Sequence, residues 1–180
     1  MAAYLDILCS FVIGALLMLN VQRMNADLVE RSSKGVNEYI AQSNATVLEE
    51  ILNNDLQKVG YRVTGSKITL ADSTRLTFRA DMDRNGTPDS VRYVFGGYVP
   101  RTTNPRDRLL NRLVNAETPD SISLGVTDFK FTYYDSAGAA TTTPTVIKGI
   151  QADITVESTA PYDTSYAKSF VRVKVWPKNL

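Results

Sequence analysis

One short run in the middle of the chain holds its most specific chemistry. Asp81-Met82-Asp83-Arg84-Asn85-Gly86-Thr87-Pro88-Asp89 sets carboxylate, carboxylate and amide oxygens at alternate positions and follows them with a glycine. That spacing lets the side-chain oxygens converge on one point, and glycine tolerates the sharp turn that brings them there, as in the front half of a calcium loop. A backbone carbonyl at Thr87 and the carboxylate of Asp89 would continue the coordination. Arg92 stands where such a loop ends in a bidentate Glu, and no entering helix precedes the run, so water or a distant carboxylate would have to complete the shell. The same residues also make an ordinary strand connection, because Asn-Gly and Asp-rich turns link strands with no ion at all. The candidate ligands are therefore Asp81, Asp83, Asn85, Thr87 and Asp89, the candidate ion is calcium, and a plain turn is the competing reading.

Most other site chemistry is removed by composition. The 180 residues include no histidine and a single cysteine, Cys9, which sits in an apolar run. Ser-His-Asp and Cys-His catalysis, His-ligated metals, zinc-type cysteine sites and intramolecular disulfides go together. A carboxylate pair can still hydrolyse glycosides, but the adjacent Glu49 and Glu50 do not share a helix face, and a non-enzymatic role is expected. A net charge of +1 with no cluster of Lys and Arg gives no electrostatic case for nucleic acid.

The elements that must position the loop begin with the N-terminus. Ala2 to Leu19 reads AAYLDILCSFVIGALLML, an apolar run with one carboxylate, Asp6. At about 1.5 Å per residue this run as a helix spans roughly 27 Å, the thickness of a bilayer's hydrocarbon core. With no basic n-region and no small-x-small site before Asn20, a retained helix is expected over a cleaved signal. A carboxylate here costs a few kcal/mol by insertion scales. It can be offset by the backbone N–H groups of the first turns, by headgroup water, or by pairing with the α-ammonium of a neighbouring copy. Gly14 and Ala15 would allow a second helix to approach closely.

A helical period continues to Gly60. Val29, Val36, Tyr39, Ile40, Val47, Leu48, Ile51, Leu52, Leu56 and Val59 form one apolar stripe, with Arg31, Lys34, Glu38, Gln42, Glu49, Glu50 and Asp55 on the other faces. Ser32-Ser33 and Gly35 mark a possible bend or break. From Lys67 the period becomes two, in Leu76–Ala80, Val91–Phe95, Phe129–Tyr133, Ile150–Val156 and Val171–Val175. Alternation of this kind belongs to antiparallel strands with one wet face. Arg108–Val114 reads equally as a strand or as a turn or two of helix. Tyr133, Tyr134, Tyr162 and Tyr166 read as packing and rim residues, and Trp176 as a cover for a sheet edge. The expected fold is α+β: a long N-terminal helix, membrane-spanning in its first third, packed on an antiparallel sheet of about four to six strands. The expected segments are 1–20 (membrane or filament-core helix), 21–60 (amphipathic continuation) and 61–180 (β domain).

Taken in order, these pieces resemble the type IV pilins and type II secretion pseudopilins. The shared features are an apolar N-terminal helix with one acid near its start, Gly14 within it, an amphipathic continuation and an antiparallel sheet. The segments Asn53-Asn54-Asp55-Leu56-Gln57-Lys58-Val59-Gly60-Tyr61, Arg79–Tyr93 and Gly125–Asp135 are most similar to the PilW-type minor pilins. The resemblance implies that Asp6 stands where the family has its near-N-terminal Glu, which neutralises a neighbour's terminal amine. It also implies a filament of a pilus or secretion pseudopilus, with helices bundled in its core and sheets outside. Its partners would be other pilin subunits and the assembly machinery, and it would reside in the bacterial inner membrane before assembly and in the periplasm or at the cell surface after it. Asp replaces the family's Glu, and Arg23, Arg31 and Lys34 follow the apolar run where the positive-inside tendency would place the other terminus inside. A membrane-anchored extracytoplasmic binding or adhesion module is the alternative.

Overall fold

The alternating segments Leu76–Ala80 and Val91–Phe95 do form antiparallel strands, and the stretch between them is the Asp-rich loop. In the computed structural model, which describes residues 2–115, 118–161 and 164–180, the fold is α+β. One helix, α1 (Ala2–Gln57), is followed by β1 (Ile68–Ala71), β2 (Arg75–Ala80), β3 (Asp89–Tyr98), β4 (Arg108–Val114), β5 (Asp120–Tyr134), β6 (Gly149–Glu157) and β7 (Lys168–Val175). The strands make one antiparallel sheet in the order of the chain, so every strand pairs only with its sequence neighbours. Seven strands exceed the expected four to six because β1 is short and because Arg108–Val114, ambiguous in sequence, is a strand paired on both sides. Tyr162 lies outside the described residues.

The chain divides after Val36 into two compact units. In the first, the helix is exposed along its apolar length: Tyr4, Ile7, Leu8, Phe11, Val12 and Ile13 are each more than half exposed. Asp6 is also exposed, one turn in from the first described helical residue. It therefore lies beyond the first turn, where the macrodipole acts most strongly on an anion. The helix remains α-helical through Ser32–Gly35, where the sequence suggested a break.

In the second unit the helix buries a narrower stripe than the periodic apolar residues suggest. Ala41, Ala45, Leu48, Leu52 and Leu56 are buried, as is Val59 just past the helix, whereas Tyr39, Ile40 and Val47 remain exposed. Asp55, expected among the solvent-facing charges, is instead buried within this stripe and bonds to Tyr93 and Arg112.

The facing side chains come from the inner face of the sheet: Leu76, Phe78, Tyr93, Leu110, Phe131 and Ile154 are among the residues of one continuous core. The long strand β5 holds this sheet together. Its first half pairs with β4 and its second with β6, with a register shift at Val126–Asp128 after Gly125. The shift changes which parity faces inward, so Val126 and then Phe129, Phe131 and Tyr133 are all buried. The sheet curls: the N–H of Phe131 donates to the Ser73 carbonyl at 2.7 Å, and the Tyr133 hydroxyl donates to the Asp72 carbonyl at 2.8 Å, drawing the β1–β2 turn over β5. Burial pushes the Tyr133 hydroxyl pKa up, with the Asp72 charge adding to it and the bond to the Asp72 backbone opposing it, so the phenol stays protonated. At the far edge the Trp176 ring covers Gly149, where a Cβ would come within 3.0 Å of the indole, and it remains about half exposed.

Candidate functional site

The Asp81–Asp89 run leaves β2 at Ala80 and enters β3 at Asp89, so two strands already locked in register by Ala80↔Asp89 hold its ends. Within it, Arg84 and Gly86 take positive φ of 66° and 90°, which folds the run tightly back on itself. The carboxylates of Asp81, Asp83 and Asp89 each bring an oxygen within 4.8 Å of the other two. The three are differently placed: Asp81 is 1 % exposed, Asp89 9 %, and Asp83 is open to water.

Hydrogen bonds pre-form the loop. Asp81 Oδ2 accepts from the N–H of Gly86 at 3.1 Å and from Arg62 at 3.3 Å. Asp83 accepts from the Asn85 backbone at 3.1 Å and the Asn85 side-chain amide at 2.7 Å, and Asn85 Oδ1 accepts from the N–H of Thr87 at 2.7 Å. Asp89 takes the N–H of Met82 at 3.0 Å on one oxygen and Asn115 Nδ2 at 2.7 Å on the other. Asp81 Oδ1 is buried without a hydrogen-bond partner. Burial pushes the Asp81 carboxyl up, but the Gly86 N–H, the Arg62 guanidinium and the Arg84 N–H outweigh it and hold the group below the usual carboxylate range. Arg92, at the position of a missing twelfth ligand, lies in β3 with its side chain exposed.

The structure thus gathers the three carboxylates and orders Asn85 and Thr87 beside them. It also adds two residues that the sequence did not flag. Arg62 reaches Asp81 from the turn after the helix, where its own φ is 53°. Asn115, at φ 55° just past β4, clasps Asp89 and also accepts the N–H of Ser90 at 2.9 Å. Both are remote in sequence from the loop, and no local pattern marks them. Chemically, the constellation is a net-anionic cluster of oxygens suited to a hard cation.

The other candidate residues lie on the first helical unit. Asp6, Gly14 and Ala15 are exposed, and nothing lies within 4 Å of a Cβ built on Gly14. The Ser10 hydroxyl donates to the Asp6 carbonyl at 2.7 Å, which leaves the Asp6 carboxylate out of that contact. This helix is long and apolar enough to cross a membrane. No protein family, curated protein or solved structure matches the chain.

Proposed function

We propose that the chain is a structural subunit, of the minor-pilin or pseudopilin kind, in a type IV-like filament or secretion pseudopilus, and that it assembles through its N-terminal helix. The observation that carries this reading is the exposure of the apolar side chains along the first unit, while the second unit encloses a complete core of its own. Burying one such side chain contributes roughly 1.5–3 kcal/mol, so the exposed run is unfavourable in water by on the order of 10 kcal/mol or more. A bilayer removes that cost for a lone subunit, and neighbouring helices remove it in a filament. Gly14 and Ala15 permit the close approach that van der Waals packing between helices needs. Asp6 supplies the one charged handle of the apolar run, pairing with a neighbour's α-ammonium and giving up its unfavourable place in lipid. The inner membrane is the holding site before extraction by the assembly machinery. The role is structural and non-enzymatic.

Electron microscopy of sheared surface fibres, with this protein detected in them by antibody, tests the reading. The Asp6→Ala variant should fold and accumulate in the membrane while the fibres lose the protein. Wild-type protein that stays a solitary membrane species, with no fibre depending on it, supports the tethered binding module instead.

A further inference from the structure

The Asp81–Asp89 loop contains one feature that turn chemistry does not explain. A hairpin connection has no use for a buried carboxylate oxygen with nothing bound to it, and such an oxygen is costly: an unsatisfied buried acceptor is disfavoured by about 1–3 kcal/mol, more when charged. Asp81 Oδ1 is such an atom, in a residue 1 % exposed, and Asp83 and Asp89 each bring a carboxylate oxygen within 4.8 Å of an Asp81 carboxylate oxygen. We propose that this loop is a calcium site anchored on Asp81, and that Arg62 is its resident counter-ion, which calcium must outcompete.

The charge pattern supports this. Three carboxylates lie close together, and among the described residues the one ion pair any of them makes is Arg62 to Asp81 at 3.3 Å, with the Arg62 side chain about half exposed. A long, exposed contact to one oxygen neutralises the cluster weakly and leaves the second oxygen free. A dication supplies what the guanidinium does not. Asn85 Oδ1 and the Thr87 carbonyl lie at the alternate positions from which further oxygens are recruited. A cleft of about 270 Å³ has Asp81 in its lining, together with Lys58, Tyr61, Met82 and Arg84. Calcium is favoured over magnesium because one buried anchor with exposed companions suits a flexible, high-coordination ion. Magnesium instead demands a near-ideal octahedron and keeps its waters.

The site also joins three parts of the second unit. The N–H of Asp81 donates to the Tyr61 carbonyl at 3.0 Å, which ties the loop to the turn after the helix, and Asn115 ties it to the end of β4. Calcium binding therefore stiffens the helix exit and the β2–β4 edge together. It does so whatever the N-terminal helix assembles with.

The test is calorimetric titration of the full chain in detergent micelles, stripped with chelator, with calcium chloride and separately with magnesium chloride, alongside thermal melts. One saturable calcium site with Kd on the order of 10⁻⁴–10⁻³ M is expected, with a rise in Tm that magnesium does not match. Asp81→Asn should abolish the calcium response. Asp83→Ala should weaken binding by about tenfold, and Arg62→Gln should tighten it by about threefold or more. No saturable heat and no change in Tm at millimolar calcium would overturn the site. Unchanged affinity in Asp83→Ala would do the same, and unchanged or weaker binding in Arg62→Gln would overturn the counter-ion role.

Discussion

Asp55 on the helix and Tyr93 on β3 are joined by a 2.6 Å hydrogen bond from the phenol to Asp55 Oδ2, the same oxygen that accepts Arg112 Nε at 2.6 Å. Asp55 is 3 % exposed and Tyr93 fully buried, so this three-way contact crosses the interface between helix and sheet in the interior. Burial, with the adjacent Asp55 charge adding to it, raises the Tyr93 hydroxyl pKa far enough that it donates at any ordinary pH. The second unit's helix is therefore indexed on the sheet by a specific polar lock as well as by apolar contact. Asp55→Ala strands Arg112 and Tyr93 together and should destabilise the unit by about 3 kcal/mol. Tyr93→Phe, which leaves the ion pair, should cost only about 1–2 kcal/mol. Chemical denaturation of the full chain in detergent measures both, and equal losses would show that the pair and the phenol do not act separately.

Gly125 and Gly86 both have positive φ, 74° and 90°, but different surroundings. A Cβ on Gly125 would sit 2.3 Å from the backbone oxygen of Glu157, while one on Gly86 meets nothing within 4 Å. Gly125→Ala must therefore part β5 from β6 and should cost about 3 kcal/mol or more, whereas Gly86→Ala carries only the conformational cost of about 1 kcal/mol. Thermal melts of the two variants should separate clearly.

Stability should respond to pH in opposite directions at two buried acids. Burial raises the Asp107 carboxyl pKa, the Thr102 hydroxyl opposes this, and the Glu157 charge adds to it. The folded state thus holds that proton more tightly than the unfolded chain, so the stability contributed is present at low pH and lost as pH rises from about 3.9 through the raised folded value. Asp107→Asn should melt about 2–4 °C above wild type at pH 7 and level with it near pH 3. Asp81, held below the usual range, contributes above about pH 3.9 and loses that contribution as pH falls through its folded value. The chelated Asp81→Asn variant should accordingly show a smaller acid-side fall in Tm than its parent.

Gly14 separates folding from assembly. Within one chain nothing contacts a side chain placed there, and glycine is the poorer helix former by about 1 kcal/mol against alanine. Gly14→Ile should leave the melt of the second unit unchanged and, if helices pack at this point, reduce the protein's yield in fibres severalfold. Undiminished yield would remove Gly14 from the packing surface.

Much of this architecture could be read from residue order. The apolar run Ala2–Leu19 and the period-two segments carry strong, local signals, and so does the Asp-Asp-Asn-Gly spacing of the loop. What escaped depends on tertiary context. Asp55 looks like any surface carboxylate on a helix until Tyr93 and Arg112 arrive from strands far along the chain. Ala41 and Ala45 are too small to weigh in an apolar period, although both are buried, and Ile40 and Val47 weigh heavily yet stay exposed. Arg108–Val114 mixes Leu, Arg and Asn in an order that suits either period, and only pairing with β3 and β5 makes it a strand.

A sheet whose strands pair only in chain order can be laid down one hairpin at a time as the polypeptide emerges, with little loop entropy lost at each addition. Its last closure is the exception. Lys67, at the head of the sheet, donates to the carbonyl of Asn179 at the tail, across nearly the whole domain. The segment around Asn179 thus works as a latch that engages only after every strand is in place.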